Sequence, residues 1–323
     1  MKRLSLLLAL ALAFALAACA PDDGADEFRD AVPTRSQLSM DVPGGGGSQG
    51  LSTSGVGSVA QPLLGQVADL YKLTYEVSHD VNGSIWVGLN IVEAIIQHPP
   101  TSVANGVAVW GPHTPPLEPL SWTLMVTKTG PGKYSYVLSA RKKGDTTGKF
   151  LPILAGTSQK GFSKHFSGYT GVYTANADNL NTLAPTIHPD KGKMVATYDT
   201  TGDKREVKMA LEGYSENGAP PANVLYSYLD RLDTSGEFGF VAHADIDENG
   251  SAKEYLVVGT QWDKNGAGRG DAVVTGGDVQ AGVSVLITEC WDQSFGRTFY
   301  QDNYNINPAE GSAGACVFSK PLD

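Results

Sequence analysis

The densest polar constellation in the chain is His243, Asp245 and Asp247, with Asn249 just beyond. Alternate side chains of a strand share one face, so an imidazole and two carboxylates at this spacing would meet at the strand's exit. They would stand opposite Phe240, Ala242, Ala244 and Ile246. Such a donor set binds divalent ions such as zinc or manganese, which makes a metal-dependent hydrolase one reading of the chain. The plainer alternative is the solvated face of an amphipathic strand.

The run Asp245-Ile246-Asp247-Glu248-Asn249-Gly250-Ser251 also opens like a calcium loop. Its twelfth position, which should supply a bidentate glutamate, is Leu256, and no flanking helices are predicted. A hairpin turn at Asn249-Gly250 accounts for the same residues through its need for positive φ. The D-x-N-G pattern recurs at Asp80–Gly83 and Asp263–Gly266, which favours turns over calcium. Calcium or zinc is therefore the only cofactor the residues suggest, against an expectation of none.

Other short matches carry less. Gly46-Gly47-Ser48-Gln49-Gly50 has the G-x-S-x-G form of hydrolases, but that motif works on a strand-to-helix turn and here lies in a glycine-rich linker. Arg269-Gly270-Asp271 is an adhesion tripeptide too short to be specific, and neither phosphate-binding glycine motif is present. Glu289-Cys290-Trp291-Asp292, with Phe295, Phe299 and Tyr300, reads as a terminal strand over an aromatic cluster. No histidine has a paired nucleophile in sequence. The expectation is a protein without catalytic residues.

The elements that would position these residues are mostly strands. Glycine is abundant at 38 residues and only 18% of residues are charged, which favours turn-rich β structure. From Gly106 onward, candidate strands are joined by short turn signals such as Thr129–Gly132, Thr200–Asp203 and Asp233–Gly236. Val207, Met209 and Leu211 alternate with Glu206, Lys208 and Ala210, the period of a half-buried strand. Parallel neighbours need long crossovers, so about ten to twelve strands must form a largely antiparallel meander.

Two helices precede them. Pro62 suits a first helical turn, and Leu63, Val67, Leu70, Thr74, Val77 and Val81 follow at helical spacing until Asn82-Gly83 interrupts. Ser84 would cap a second helix carrying Ile85, Leu89, Val92 and Ile96, ended by Pro99-Pro100. Trp86, Ile91 and Ile95 widen its apolar stripe beyond one face. The two helices either cover one face of a curved sheet or line a ligand hollow, with Trp86, Leu89, Val92 and Ile96 as its wall.

The start of the chain has a separate logic. Lys2 and Arg3 precede an apolar run from Leu4 to Leu16, followed by Ala17, Ala18 and Cys19. These are the parts of a secretory signal, too short for a permanent membrane span. Leu16-Ala17-Ala18-Cys19 resembles the lipobox of bacterial lipoproteins. The resemblance implies a signal peptide over 1–18, cleavage before Cys19, acylation of Cys19 and anchorage to a bilayer. Ala20 rather than aspartate after the cysteine resembles the outer-membrane sorting pattern, facing either the periplasm or the cell surface. Residues 19–57, with Gly44–Gly47 and few spaced apolar residues, would be a disordered tether to a single globular domain over 58–323, helical to about 100 and β from 103.

With Cys19 committed to lipid, Cys290 and Cys316 remain as an even pair in an oxidising compartment, expected as a disulfide. Two free thiols or half a metal site are the alternatives. Cleavage would leave 34 acidic against 22 basic groups, a net of about −12, which repels nucleic acid and gives anionic lipid no purchase.

The predicted architecture is mainly β (α+β): a large antiparallel meander sheet or open half-barrel with two N-terminal helices packed on one face. That outline is similar to the periplasmic lipoprotein-carrier and outer-membrane lipoprotein-receptor half-barrels, which hold acyl chains between sheet and helix. The resemblance implies a non-catalytic binding or structural module for an apolar small molecule or lipid. A surface-exposed interaction or adhesion protein, with a protein partner, is the alternative.

Overall fold

The computed structural model describes residues 24–44, 63–164, 168–244 and 252–322, excluding a few side chains such as that of Trp86. One antiparallel sheet holds fifteen strands, each hydrogen-bonded to its neighbours in chain order. They are β1 (Ser102–Ala104), β2 (Val107–His113), β3 (Leu120–Gly130), β4 (Lys133–Lys142), β5 (Leu151–Lys160), β6 (Tyr169–Asn176), β7 (Lys191–Asp199), β8 (Lys204–Ser215), β9 (Ala222–Arg231), β10 (Gly236–Ala244), β11 (Glu254–Trp262), β12 (Gly268–Gly276), β13 (Ser284–Trp291), β14 (Arg297–Asp302) and β15 (Glu310–Gly311). Four α-helices accompany them among the described residues: α1 (Asp26–Asp30), α2 (Arg35–Leu38), α3 (Asp69–Ile96) and α4 (Ala177–Leu183), with a 3-10 turn at Ala313–Ala315.

The mainly β meander predicted from turn spacing is therefore present, with fifteen strands rather than ten to twelve. The two short edge strands, β1 and β15, lack the alternation that reveals a half-buried strand.

Register aligns the inward side chains into rows across the sheet. One row runs Val126, Tyr136, Gly156, Tyr173, Ala196, Met209, Tyr226, Phe240, Val258 and Ala272, each opposite the next on the neighbouring strand. Large and small residues alternate through much of it, which lets rings lie over small neighbours. At Gly156 the fit is strict: an added Cβ would stand 2.4 Å from the Tyr136 hydroxyl. Trp291 lies over Gly268 in the same manner, 2.4 Å from such a Cβ.

A single helix, not two, fills the concave face. α3 continues through Asn82-Gly83 for 28 residues, about 42 Å. The two residues disfavour a helix interior locally, by about 1 kcal/mol for the glycine, but tertiary bonds outweigh this. Asn82 is buried, its Oδ1 accepts the Met40 N–H at 2.8 Å and its Nδ2 donates to the Met40 carbonyl at 3.0 Å. Asn82→Ala leaves both Met40 groups unpaired and should cost about 2 kcal/mol, readable by chemical denaturation together with faster exchange of the Met40 amide.

The helix also begins later than Pro62 suggests. Residues 63–68 instead run beside the β13–β14 turn: the Gly65 N–H donates to the Arg297 carbonyl and the Arg297 N–H to the Gln66 carbonyl.

The tether expected over 19–57 is corrected across 24–44. These residues form a strap inside the fold, with Ala25, Phe28, Ala31, Val32, Leu38 and Met40 all buried. Their apolar spacing has no single period because short turns, α1 and α2, alternate with extended chain. The strap is fixed at both ends. Phe28 meets Tyr134 edge to face at 6.2 Å, and the Ser158 hydroxyl donates to the Ala31 carbonyl at 2.6 Å. Further on, the buried Arg205 guanidinium donates to the Ser36 carbonyl at 2.7 Å, to Asp41 at 2.8 Å and to Asp230 at 3.0 Å. Residues 1–23 and 45–62, including Cys19 and the Gly46–Gly50 match, lie outside the described residues.

Candidate functional site

The fold leaves a cavity of about 790 Å³ between α3 and the middle of the sheet. Its floor comes from two adjoining inward rows: Leu154, Ala175, Met194, Leu211 and Val224 in one, Tyr173, Met209 and Tyr226 in the other. α3 supplies the roof through Val81, Gly83 and Gly88, and α4 closes one side with Leu180. Two glycines make the helix narrow at this level. A Cβ added at Gly83 would meet nothing within 4 Å, and Gly88 admits Tyr173 beneath it, where an added Cβ would stand 2.9 Å from the hydroxyl. At this size and lining it falls in the usual range for small-molecule sites.

Polar side chains gather at its border. Asp80, Lys193 and Glu216 are exposed, while His188 and Asp190 are half-buried. Three carboxylates against one lysine make the mouth acidic. Asp190 is partly engaged, accepting from the Tyr214 hydroxyl at 3.3 Å and the Asn217 N–H at 3.0 Å. His79, also at the border, lies against the Tyr75 ring at 4.4 Å. Burial pushes the Tyr226 hydroxyl up to about 12, and Asp80 adds to the shift. Burial alone holds the Tyr173 hydroxyl well above the ordinary tyrosine value. Neither ionises at neutral pH, so both serve as neutral hydrogen-bonding groups.

Three of the four residues expected to line a ligand hollow are not in the lining of this cavity. Leu89 and Val92 are fully buried in the core, and Ile96 packs against it half-buried. The Trp86 side chain lies outside the described residues. The hollow uses the preceding turns of the same helix instead. Sequence periodicity marks a buried helix face but not which part of it meets side chains and which meets space. The signal that could have located the cavity is the pair of glycines, Gly83 and Gly88, one of which the sequence assigns to a helix break.

Other sequence candidates resolve individually. His243 sits on β10 with its ring stacked on Tyr255 at 4.2 Å and 8°, while Asp245, Asp247 and Asn249 lie outside the described residues. Among the described residues no three His, Cys, Asp or Glu side chains gather as metal ligands. Asp263–Gly266 is a turn, with Asp263 Oδ1 accepting the Asn265 N–H at 2.8 Å and Gly266 at φ +90°. Asp80–Gly83 is helical, so the turn expected there is corrected. Arg269 of the adhesion tripeptide is bonded twice to Asp271, at 2.8 Å each, along its own strand. Cys290 and Cys316 lie at disulfide distance, 2.07 Å between sulfurs.

Comparison with protein-family models, with curated proteins and with solved structures finds no match to the chain.

Proposed function

We propose that the protein is a non-catalytic, membrane-anchored binding module of the bacterial cell envelope, holding an apolar ligand in the cavity between α3 and strands β5–β9. The observation that carries this reading is the cavity itself: its floor is apolar or aromatic at every position of two sheet rows, and it opens at a polar border. Apolar walls around a space of this size forgo many dispersion contacts, and an apolar occupant restores them. The lipobox-like tetrad at Leu16–Cys19 supports the anchored, outer-membrane placement. Because Ala25 and Phe28 already belong to the core, no more than about 22 Å of extended chain would separate an acylated Cys19 from the fold.

Organic extraction and native mass spectrometry of the purified protein should recover an apolar molecule, or show uptake of the uncharged dye Nile red. Met209→Trp, which places an indole in the floor, should weaken that uptake at least tenfold. A protein that yields nothing on extraction and takes up no dye would overturn the reading.

A further inference from the structure

Two buried polar atoms of cavity-lining residues have no hydrogen-bond partner among the described residues: His188 Nε2 at the half-buried border and the Tyr173 hydroxyl in the floor. Tyr173 is completely buried, and its hydroxyl has no hydrogen-bond partner among the described residues. Two other tyrosines of the same concave face are satisfied: Tyr136 donates to the Val172 carbonyl at 3.0 Å and Tyr228 to the Asp41 carbonyl at 3.1 Å. The Tyr198 hydroxyl, close to Tyr136, has no hydrogen-bond partner among the described residues either, but does not line the cavity. Tyr173 alone among these four borders the cavity.

Its setting restricts what can meet it. The hydroxyl lies beneath Gly88, with a Leu154 methyl close by, where α3 crosses β6. Around it the lining is Ile153, Leu154, Ala175, Met194 and Met209. The charged groups of the cavity stand at the exposed border, where carboxylates outnumber the lysine. A buried hydroxyl without a partner is costly, and an oxygen on the ligand removes that cost. An ionised group at this depth would lose its hydration, and the lining just named around the hydroxyl carries no charge.

We propose that the ligand is an apolar chain or ring system whose buried end carries one uncharged oxygen, a hydroxyl, carbonyl or ester, paired with the Tyr173 hydroxyl. This rests on the binding reading above and adds the chemical class of the occupant.

Displacement of Nile red by decane, decanol and decanoate, on the purified full-length protein and on Tyr173→Phe, tests it. Decanol should bind the wild type more tightly than decanoate. Tyr173→Phe should weaken decanol roughly three- to tenfold while leaving decane unchanged or tighter. If Tyr173→Phe alters neither probe, or if decanoate is the tightest of the three, the class assignment is wrong although the cavity still binds. If the folded wild type takes up neither dye nor probes, the binding reading itself fails. Should the variant not fold, as judged by circular dichroism, the decanol–decanoate order on the wild type decides the class.

Discussion

Glu289→Ala is expected to lower the stability of the protein by about 3–5 kcal/mol, the usual cost of leaving one member of a buried ion pair alone. Glu289 on β13 and Arg297 on β14 are each only 1% exposed in their side chains and lie 2.5 Å apart. The other Glu289 oxygen accepts the Leu70 N–H at 2.7 Å, placing a carboxylate on the positive end of α3. Arg297 also reaches Asp69 at 2.7 Å, but that carboxylate is 76% exposed and cannot replace a buried counter-charge. Removal of Glu289 thus strands a guanidinium and frees the first turn of the helix in one step. Glu289→Met with Arg297→Met should cost less than Glu289→Ala alone. Denaturation midpoints for the single and double variants measure the coupling. Additive effects would show that the two charges act separately.

The same pair sets a pH dependence. Burial pushes the Glu289 carboxyl above the ordinary carboxylate range, with the Leu70 N–H and Arg297 pulling it back down. Since the folded-state value is the higher one, this group's contribution is fully present below the unfolded-state value and falls as pH rises through the folded one. Glu289→Gln should remove that slope from a plot of stability against pH.

Cys316→Ala is the second large effect, expected at roughly 3–4 kcal/mol from the loop of sequence separation 26 that the bond closes. Cys290 is fully buried on β13, beside Glu289, whereas the segment around Cys316 is mostly exposed. The bond therefore fastens a lightly held tail to the core. That tail otherwise holds through the Lys320 and Phe318 carbonyls, which accept from Gln261 at 2.8 Å and Arg269 at 3.4 Å, and through Leu322 over Gly259. Thermal melting with and without reductant gives the magnitude. Hydrogen exchange should show protection lost first over residues 313–322, and unchanged protection there would mean that the noncovalent contacts suffice.

Much of this sheet is legible in the sequence. Val207 and Met209 are buried and Lys208 between them is exposed, as their alternation predicts. Thr129–Gly132, Thr200–Asp203 and Asp233–Gly236 are all hairpin connections. Local signals succeed where local physics decides: the pleat fixes alternation, and positive φ fixes turn glycines. They fail where a distant partner decides. Asn82-Gly83 reads as a break until Met40 is known to bond to Asn82. Phe28, Val32, Leu38 and Met40 look like a loose tether because their shared burial depends on Tyr134, Arg205 and α3. The cavity was least legible of all. Its floor is assembled by register from five strands, so no continuous stretch of sequence contains it.

The order of elements along the chain bears on how the molecule is built. The strap and α3 emerge during synthesis before any strand, so the filling of the concave face exists before its wall. Each later strand then needs only the hairpin partner just made, a short loop closure. The start of α3 is the exception. Thr74 awaits Thr260, 186 residues on, and the Leu70 N–H awaits Glu289, 219 residues on. The C-terminal half of the helix meets its partners early, at Leu154 and Tyr173 beneath Gly88. Growth of the sheet thus closes over α3 from its end towards its beginning, and the late β13–β14 hairpin is the one that latches the first helical turn.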